Sequence, residues 1–352
     1  MVLAALVLPT VLVGVCRAQP TEAEVLAGVV NDAALPCVTE AADTALRLEE
    51  AVNELCPDPG AESLNEARIA WTEAYLAWRQ AAPFLFGPGK KLDRLIGRWQ
   101  VNAVVLDAAV ESPDLSDLLK QVEQRGYAAV EYLLFTPQDA AAATTPGRCA
   151  HLRSVTAEIT RLTSAMKHEW DETYGAELVA AGDGEPFLIP ADALSVAFTQ
   201  TLNATEQMLR DRLSVPSGYF QDAVKPESLE AWRSGHTRAG LQATLEGLRL
   251  VITGGGDASV VSLVATRDGL VEKRNPALAK AMVKQLDKID GTLAGLGGDE
   301  LRLEDELREN PQVLKPLYQQ LQALQDQLVE ASLVLELDVY SPAPQATTAS
   351  IE

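Results

Sequence analysis

Histidine is scarce in this chain, three residues among 352, with four cysteines and 5% aromatics. No His-Glu-x-x-His run and no Cys-x-x-Cys pair occurs. A one-helix zinc peptidase site, a zinc knuckle and a thioredoxin-like pair are therefore excluded. Cations are outnumbered, 29 Lys and Arg against 50 Asp and Glu, for a net charge of −21. Such a field repels a phosphate backbone, so nucleic acid is excluded as a partner and an acidic soluble protein is the plain reading. Strands are missing too: no useful length alternates with period two. Gly254-Gly255-Gly256 follows no strand, so it ends a helix rather than cradling phosphate. Few aromatics with abundant Ala and Leu favour helices over a β-sandwich.

What is present begins with an apolar run from Met1 to Ala18, without a charged side chain before Arg17. It is too short for a stable membrane span and fits the core of an export signal, although its start lacks the usual Lys or Arg. Cleavage after Ala18 makes residues 1–18 a signal peptide and places the mature protein in the periplasm or cell envelope. The alternative is a lipoprotein acylated at Cys16, for which Val15 is bulky where a small residue is wanted. The membrane is otherwise touched only through that signal or lipid anchor. Export permits disulfides. Cys37 and Cys56 flank a helical run, Val38 to Leu55, whose ends stand roughly 25 Å apart at 1.5 Å per residue. A bridge needs Cα atoms within about 7 Å. Cys56 with Cys149 is the expected pair, leaving Cys37 free or buried.

Length suggests two domains or one elongated helical array. Thr21 to Val30 reads as a short first helix. A second ends at Cys56-Pro57-Asp58-Pro59-Gly60, and Ser63 with Glu66 reads as a capping box for a third. That third helix carries the stripe Leu64, Ala67, Trp71, Tyr75, Trp78, a core pattern. Val101 to Val110 reads as a buried helix, Ser112-Pro113-Asp114 as the start of a short one, Thr136 to Arg148 as a loop, and Cys149 to Tyr174 as a long helix. Gly175 to Pro190 is the expected linker, docked by Phe187-Leu188-Ile189. Further helices are expected over Ala191 to Leu213, Pro226 to Ile252, Val260 to Leu270, Asn275 to Leu296 and Leu301 to Leu335, the last with a break near Pro311. The expectation is an all-α protein of two helical bundles, 19–180 and 181–340, with a tail at 341–352 disordered by composition.

The stretch from Arg125 to Phe135 is almost wholly apolar around one carboxylate, Glu131. A buried carboxylate must be protonated, paired or part of a site. One turn earlier, at i−3, stands Ala128. Gly126-Tyr127-Ala128-Ala129-Val130-Glu131-Tyr132-Leu133-Leu134-Phe135 resembles the signature of the imelysin family, Gly-x-His-x-x-Glu followed by Tyr-Leu-Leu-Phe/Trp, with Ala128 replacing the His. Leu64 to Trp71 with Trp78, Phe86-Gly87-Pro88, Arg148-Cys149-Ala150, Arg233 to Thr237 and Leu245 to Leu248 agree with it in order, over roughly residues 25 to 340. The resemblance implies two bundles with the signature near their junction, and a peptidase label whose His and Glu form a metal or catalytic site. Carried over residue by residue, Gly126 and Glu131 match and Ala128 does not, since alanine has no lone pair for a metal.

His236, in the polar island Arg233-Ser234-Gly235-His236-Thr237-Arg238, is the residue that could face Glu131 and complete a metal pair; its plain reading is a helix N-terminal cap. His168 with Glu172 reads as a solvated face, and His151 begins a helix beside Cys149. Arg98, Arg125, Arg233 and Arg238 read either as ion-pair partners of Glu131, Glu73 and similar acids or as a cationic pocket for an anionic ligand. Ser234 and His236 point apart on a helix, which excludes a nucleophile pair. The ligand-binding candidates are thus Glu131, Arg98, Arg125, Arg233, Ser234, His236 and Arg238, with Glu131 and His236 as metal candidates and no catalytic residue assigned. The cofactor is unnamed by these residues; a divalent metal or iron is the one the resemblance admits. The expected function is an imelysin-like binding or accessory protein of the envelope, linked to iron or other metal acquisition, without peptidase activity, with a small ligand, a metal or envelope proteins as partners. The rivals are a metallopeptidase with a substituted ligand and a structural interaction scaffold.

Overall fold

A first helix, α1 (Glu22–Leu55), runs through both halves of the molecule. Thr21 and Glu24 close a capping box at its start, the Thr21 amide donating to Glu24 Oε2 at 2.7 Å. A widened turn at Val29–Ala34 lets it change course. Its beginning packs on the second bundle and its remainder on the first. Thr21 to Val30 is therefore the opening of a 34-residue helix rather than a short helix of its own. The computed structural model describes residues 20–112, 124–219, 223–254, 259–265, 275–297 and 302–339. The expected signal at 1–18, the expected tail at 341–352 and the short helix expected after Ser112 lie outside the described residues.

The first bundle adds α2 (Ala61–Gln80), α3 (Ala103–Glu111), α4 (Gly126–Phe135) and α5 (Pro146–Glu169). α5 continues through a wide turn at Trp170–Tyr174 into Gly175–Val179, so helix occupies the first part of the expected linker. The second bundle comprises α6 (Pro190–Gln207), α7 (Thr237–Thr253), α8 (Val260–Ala265), α9 (Pro276–Gly295), α10 (Leu303–Glu309) and α11 (Lys315–Val334). Among the described residues every regular element is helical, the all-α architecture that the composition indicates. Proline opens α5, α6 and α9, where its missing N–H is harmless. Buried apolar side chains form one continuous core from Val25 to Leu337. The bundles meet where α7 lies on α2. A Cβ on Gly247 would stand 2.1 Å from the Gln80 carbonyl oxygen, so the helices close only because glycine is there.

The bridge Cys56–Cys149 forms as expected, with Cα atoms 5.7 Å apart, and Cys37 is free and buried. Several local expectations are corrected. Ser63 is not the N-cap of α2; Gly60 is, and Ser63 Oγ accepts its amide at 3.0 Å. α3 is half solvated, with Val104 78% exposed and only Leu106 and Ala109 buried. A short helix, Ala140–Ala143, interrupts the expected loop after Thr136. α7 starts at Thr237 rather than Pro226, because the preceding residues form a 3-10 turn and a tight loop. Leu188 and Ile189 are exposed, and only Phe187 of that trio packs on the core.

Candidate functional site

The signature helix α4 begins at Gly126, whose φ is +73°. A Cβ there would also lie 2.2 Å from the Ile96 carbonyl oxygen, so backbone conformation and close packing both require glycine. The approach is secured from outside: His151, buried, sits with Nε2 2.9 Å from the Gln124 carbonyl, and Arg125 Nη1 lies 3.3 Å from Glu158 Oε1. Trp71 Nε1 donates to the Tyr127 carbonyl at 2.9 Å, tying α4 to α2.

Five residues on, Glu131 is 1% exposed and meets the loop before α7. The Ser234 amide donates to its Oε1 at 2.9 Å, and the Ser234 hydroxyl stands 3.0 Å from the same atom and 3.0 Å from the Ala231 carbonyl. A hydroxyl has one proton. It donates to an ionised Glu131, or turns to Ala231 and accepts from a protonated one. Burial raises the Glu131 carboxyl above its ordinary value, opposed by the Ser234 amide and the Arg233 charge. The loop itself carries strain: Ala231, without being glycine, has φ +57°. Arg302 holds its shape by donating to the carbonyls of Trp232 and Arg233.

A second buried carboxylate, Glu230, adjoins the first and was not among the residues the sequence singled out. Arg212 Nε donates to Glu230 Oε2 at 2.6 Å and Arg79 Nε stands 3.7 Å from the same oxygen. Burial pushes the Glu230 carboxyl up, but Arg212 and Arg79 outweigh it and hold it below its usual range. Arg212 also lies 5.4 Å from the Trp99 ring centroid. The sequence signal was there in hindsight: Arg79 closes an aromatic helix that is otherwise core, and a buried arginine needs an acid.

Glu131 and Glu230 line one small cavity with Ala128, Tyr127, Trp78 and Arg98. The other expected residues are scattered around it. Arg233 stacks 5.2 Å over Tyr132 and 4.6 Å over Trp232. Arg125 pairs with Glu158, and Arg238 Nη1 donates to the Leu296 carbonyl at 2.7 Å beyond the end of α9. Glu73 is met by Arg47 at 3.8 Å rather than by one of these arginines. His236 occupies the cap position of α7 without a side-chain cap bond. Its ring packs edge-on to Trp71 and Phe135, 6.2 and 6.5 Å between centroids, and it is not part of the cavity wall. Burial holds its pKa below the ordinary value. His168 is exposed.

The metal implied by the signature does not fit the side chains here. Ala128 supplies no donor, Glu131 Oε1 is engaged by Ser234, and among the described residues no group of three His, Cys, Asp or Glu is placed to hold an ion.

Comparisons with known proteins place the chain. An iron-regulated protein A from Synechococcus elongatus is 24% identical over 274 residues, covering 74% of this chain and 72% of its own. A solved imelysin-like protein from Psychrobacter arcticum superposes with a TM-score of 0.73 at 18% identity, covering 92% of this chain and 100% of its own. A structure described as an iron-regulated protein A precursor, from Parabacteroides distasonis, superposes with a TM-score of 0.77 at 16% identity, covering 91% and 97%. Both share the all-α fold. The sequence profile named Imelysin matches residues 34–333, most of the chain, and on that match this protein belongs to the imelysin family.

Proposed function

We propose that this protein is an envelope binding or accessory protein of iron or other metal acquisition, without peptidase activity. The observation that carries the reading is Ala128. The position that bears a ligating His in the family signature presents a methyl group to the cavity, beside a carboxylate already engaged by the Ser234 amide and hydroxyl. A hydrolytic metal needs several protein ligands and an open position, and this wall offers no such set. His236 does not substitute, because its ring is packed on Trp71 and Phe135. The link to iron rests on the iron-regulated protein A relative, and the envelope location on the apolar run at 1–18.

The direct test compares the natural protein with an Ala128→His variant on casein, with and without a chelator. No chelator-sensitive cleavage by the natural protein is expected; robust cleavage that a chelator abolishes overturns the reading. Protein abundance in iron-starved and iron-replete cells checks the iron link, and unchanged abundance removes it.

A further inference from the structure

A cleft of about 430 Å³, sharing no residue with the Glu131 cavity, opens between the start of α11 and the turn that closes the helical run continuing from α6 to Ser217. Small-molecule sites span roughly 300–1,000 Å³, so a ligand of one or two rings fits. One wall is Ser217-Gly218-Tyr219. Gly218 has φ +66°, and a Cβ on it would stand 2.5 Å from the Ala223 carbonyl oxygen, so glycine sets the turn that brings Tyr219 to α11. The other wall is α11 itself. Leu317, Leu321 and Leu324 take its inner face into the core, which leaves Lys315, Tyr318, Gln319 and Gln322 together on the outer side. The rings of Tyr219 and Tyr318 meet edge-on, 5.3 Å between centroids and 72° between planes, and make a corner of the cleft.

The chemistry of these walls narrows the ligand by elimination. Among the described residues the lining holds no carboxylate, histidine or cysteine, so a metal has no side-chain ligand. Its one cation, Lys315, is exposed and sits in a chain of net charge −21, a weak hold on an anion. It has no aliphatic residue to anchor a lipid or the apolar side chain of a peptide. What remains is two phenols, a serine hydroxyl and the amides of Gln312, Gln319 and Gln322. An amide presents a donor beside an acceptor and a hydroxyl is both, the complement of a ligand built from neighbouring hydroxyls. Aromatic faces accept the C–H face of a sugar ring.

The floor adds an unmet demand. Ser217 is 4% exposed, and neither its Oγ nor the Tyr219 hydroxyl, both closed to bulk water, makes a hydrogen bond. Burial pushes the Tyr219 phenol up, and the Ser217 hydroxyl beside it opposes that rise. Even when one of the two turns to the other, a pair of hydroxyls has a proton left over. A buried O–H without an acceptor is costly.

We propose that this cleft is a saccharide site for a neutral sugar of one or two rings, with a ring packed in the tyrosine corner, its hydroxyls on Gln312, Gln319 and Gln322, and one oxygen accepting from the Ser217–Tyr219 pair. The assignment goes beyond the accessory-protein reading and does not depend on it.

Isothermal titration of the mature chain with maltotriose, cellotriose and triacetylchitotriose, and with trigalacturonate as the charged counterpart, tests it. One site per chain is expected with at least one of the three neutral sugars. Tyr318→Ala should weaken binding about tenfold or more by removing half of the corner. Gln319 and Gln322 are exposed, so Gln319→Ala combined with Gln322→Ala should keep the thermal midpoint and weaken binding several-fold. Ser217→Ala should do the same. Gln242→Ala, on α7 and outside the cleft, should bind as the natural protein does. Absence of binding to all three neutral sugars by the folded natural protein, binding of trigalacturonate alone, or unchanged affinity in both Tyr318→Ala and the paired glutamine variant overturns the site. None of these results bears on the casein assay, so failure of the saccharide site and failure of the accessory reading are separable.

Discussion

Glu131 illustrates how one buried proton can be read from outside. Its carboxyl is held above the ordinary value of 4.5 by burial. Below 4.5 the group is protonated in both folded and unfolded chains and contributes nothing to the pH dependence. As pH rises above 4.5 the unfolded chain ionises first, so stability falls across the window up to the raised folded value. Glu131→Gln removes that decline. Thermal melts of the two proteins should diverge as pH rises from 4.5, with the natural protein losing midpoint relative to the variant; parallel curves would place the carboxyl at its ordinary value. Glu230 behaves oppositely, since Arg212 and Arg79 depend on its charge. Glu230→Ala leaves two buried guanidinium groups unneutralised and should destabilise by about 3–5 kcal/mol in urea titration. Gly126→Ala combines a left-handed backbone with a clash on the Ile96 carbonyl and should lose roughly 2 kcal/mol or more by the same measurement.

At the scale of elements, the helices were legible wherever an apolar period ran uninterrupted between punctuating residues. α2, α5, α6, α9 and α11 stand close to where Leu, Ala and aromatic spacing put them, and helix length excluded a Cys37–Cys56 bridge, which made Cys56–Cys149 the preferred pair. Helix ends were less legible. Gly60, not Ser63, caps α2 because Ser63 acts from inside the first turn, and α7 begins late because Ala231 and Gly235 take left-handed backbone that no helix admits. Part of the site was readable: Glu131 stood out as a lone acid in an apolar run and the polar island at 233–238 was expected near it, but the residue that meets the carboxylate is Ser234 rather than His236. Arg79, at the end of a core aromatic stripe, called for an acid, but which acid was not readable: Glu230 lies 151 residues on, Arg212 stands 18 residues before it, and only the packing of α2 under the loop joins them. The seam between α2 and α7 makes its own demand. Gly247→Val should push the helices apart and lower the thermal midpoint, whereas the same change at Gly291, with open space around it, should not.

At the scale of the whole molecule, the bridge between Cys56 and Cys149 closes a long loop, 93 residues in separation. Chain-entropy arguments give it about 4–5 kcal/mol. Reduction should therefore lower the melting temperature without abolishing the fold, while Cys37, buried with its thiol pushed up to about 12, should resist alkylation until the protein unfolds. Acid acts on the molecule through two histidines. His151 and His236 both have pKa values below 6.5 in the folded state because burial disfavours their charge. Above 6.5 they are neutral in either state; below it the unfolded chain takes up protons that the folded one resists, so stability should fall as pH drops.

Because α1 supplies a wall to each bundle, neither half owns all the surface it must cover. Cutting the backbone between Ala180 and Pro190 strands the later piece without the ridge on which it closes. Separately made fragments should stay loosely ordered and recover near-ultraviolet dichroism only on mixing, as a complementing pair.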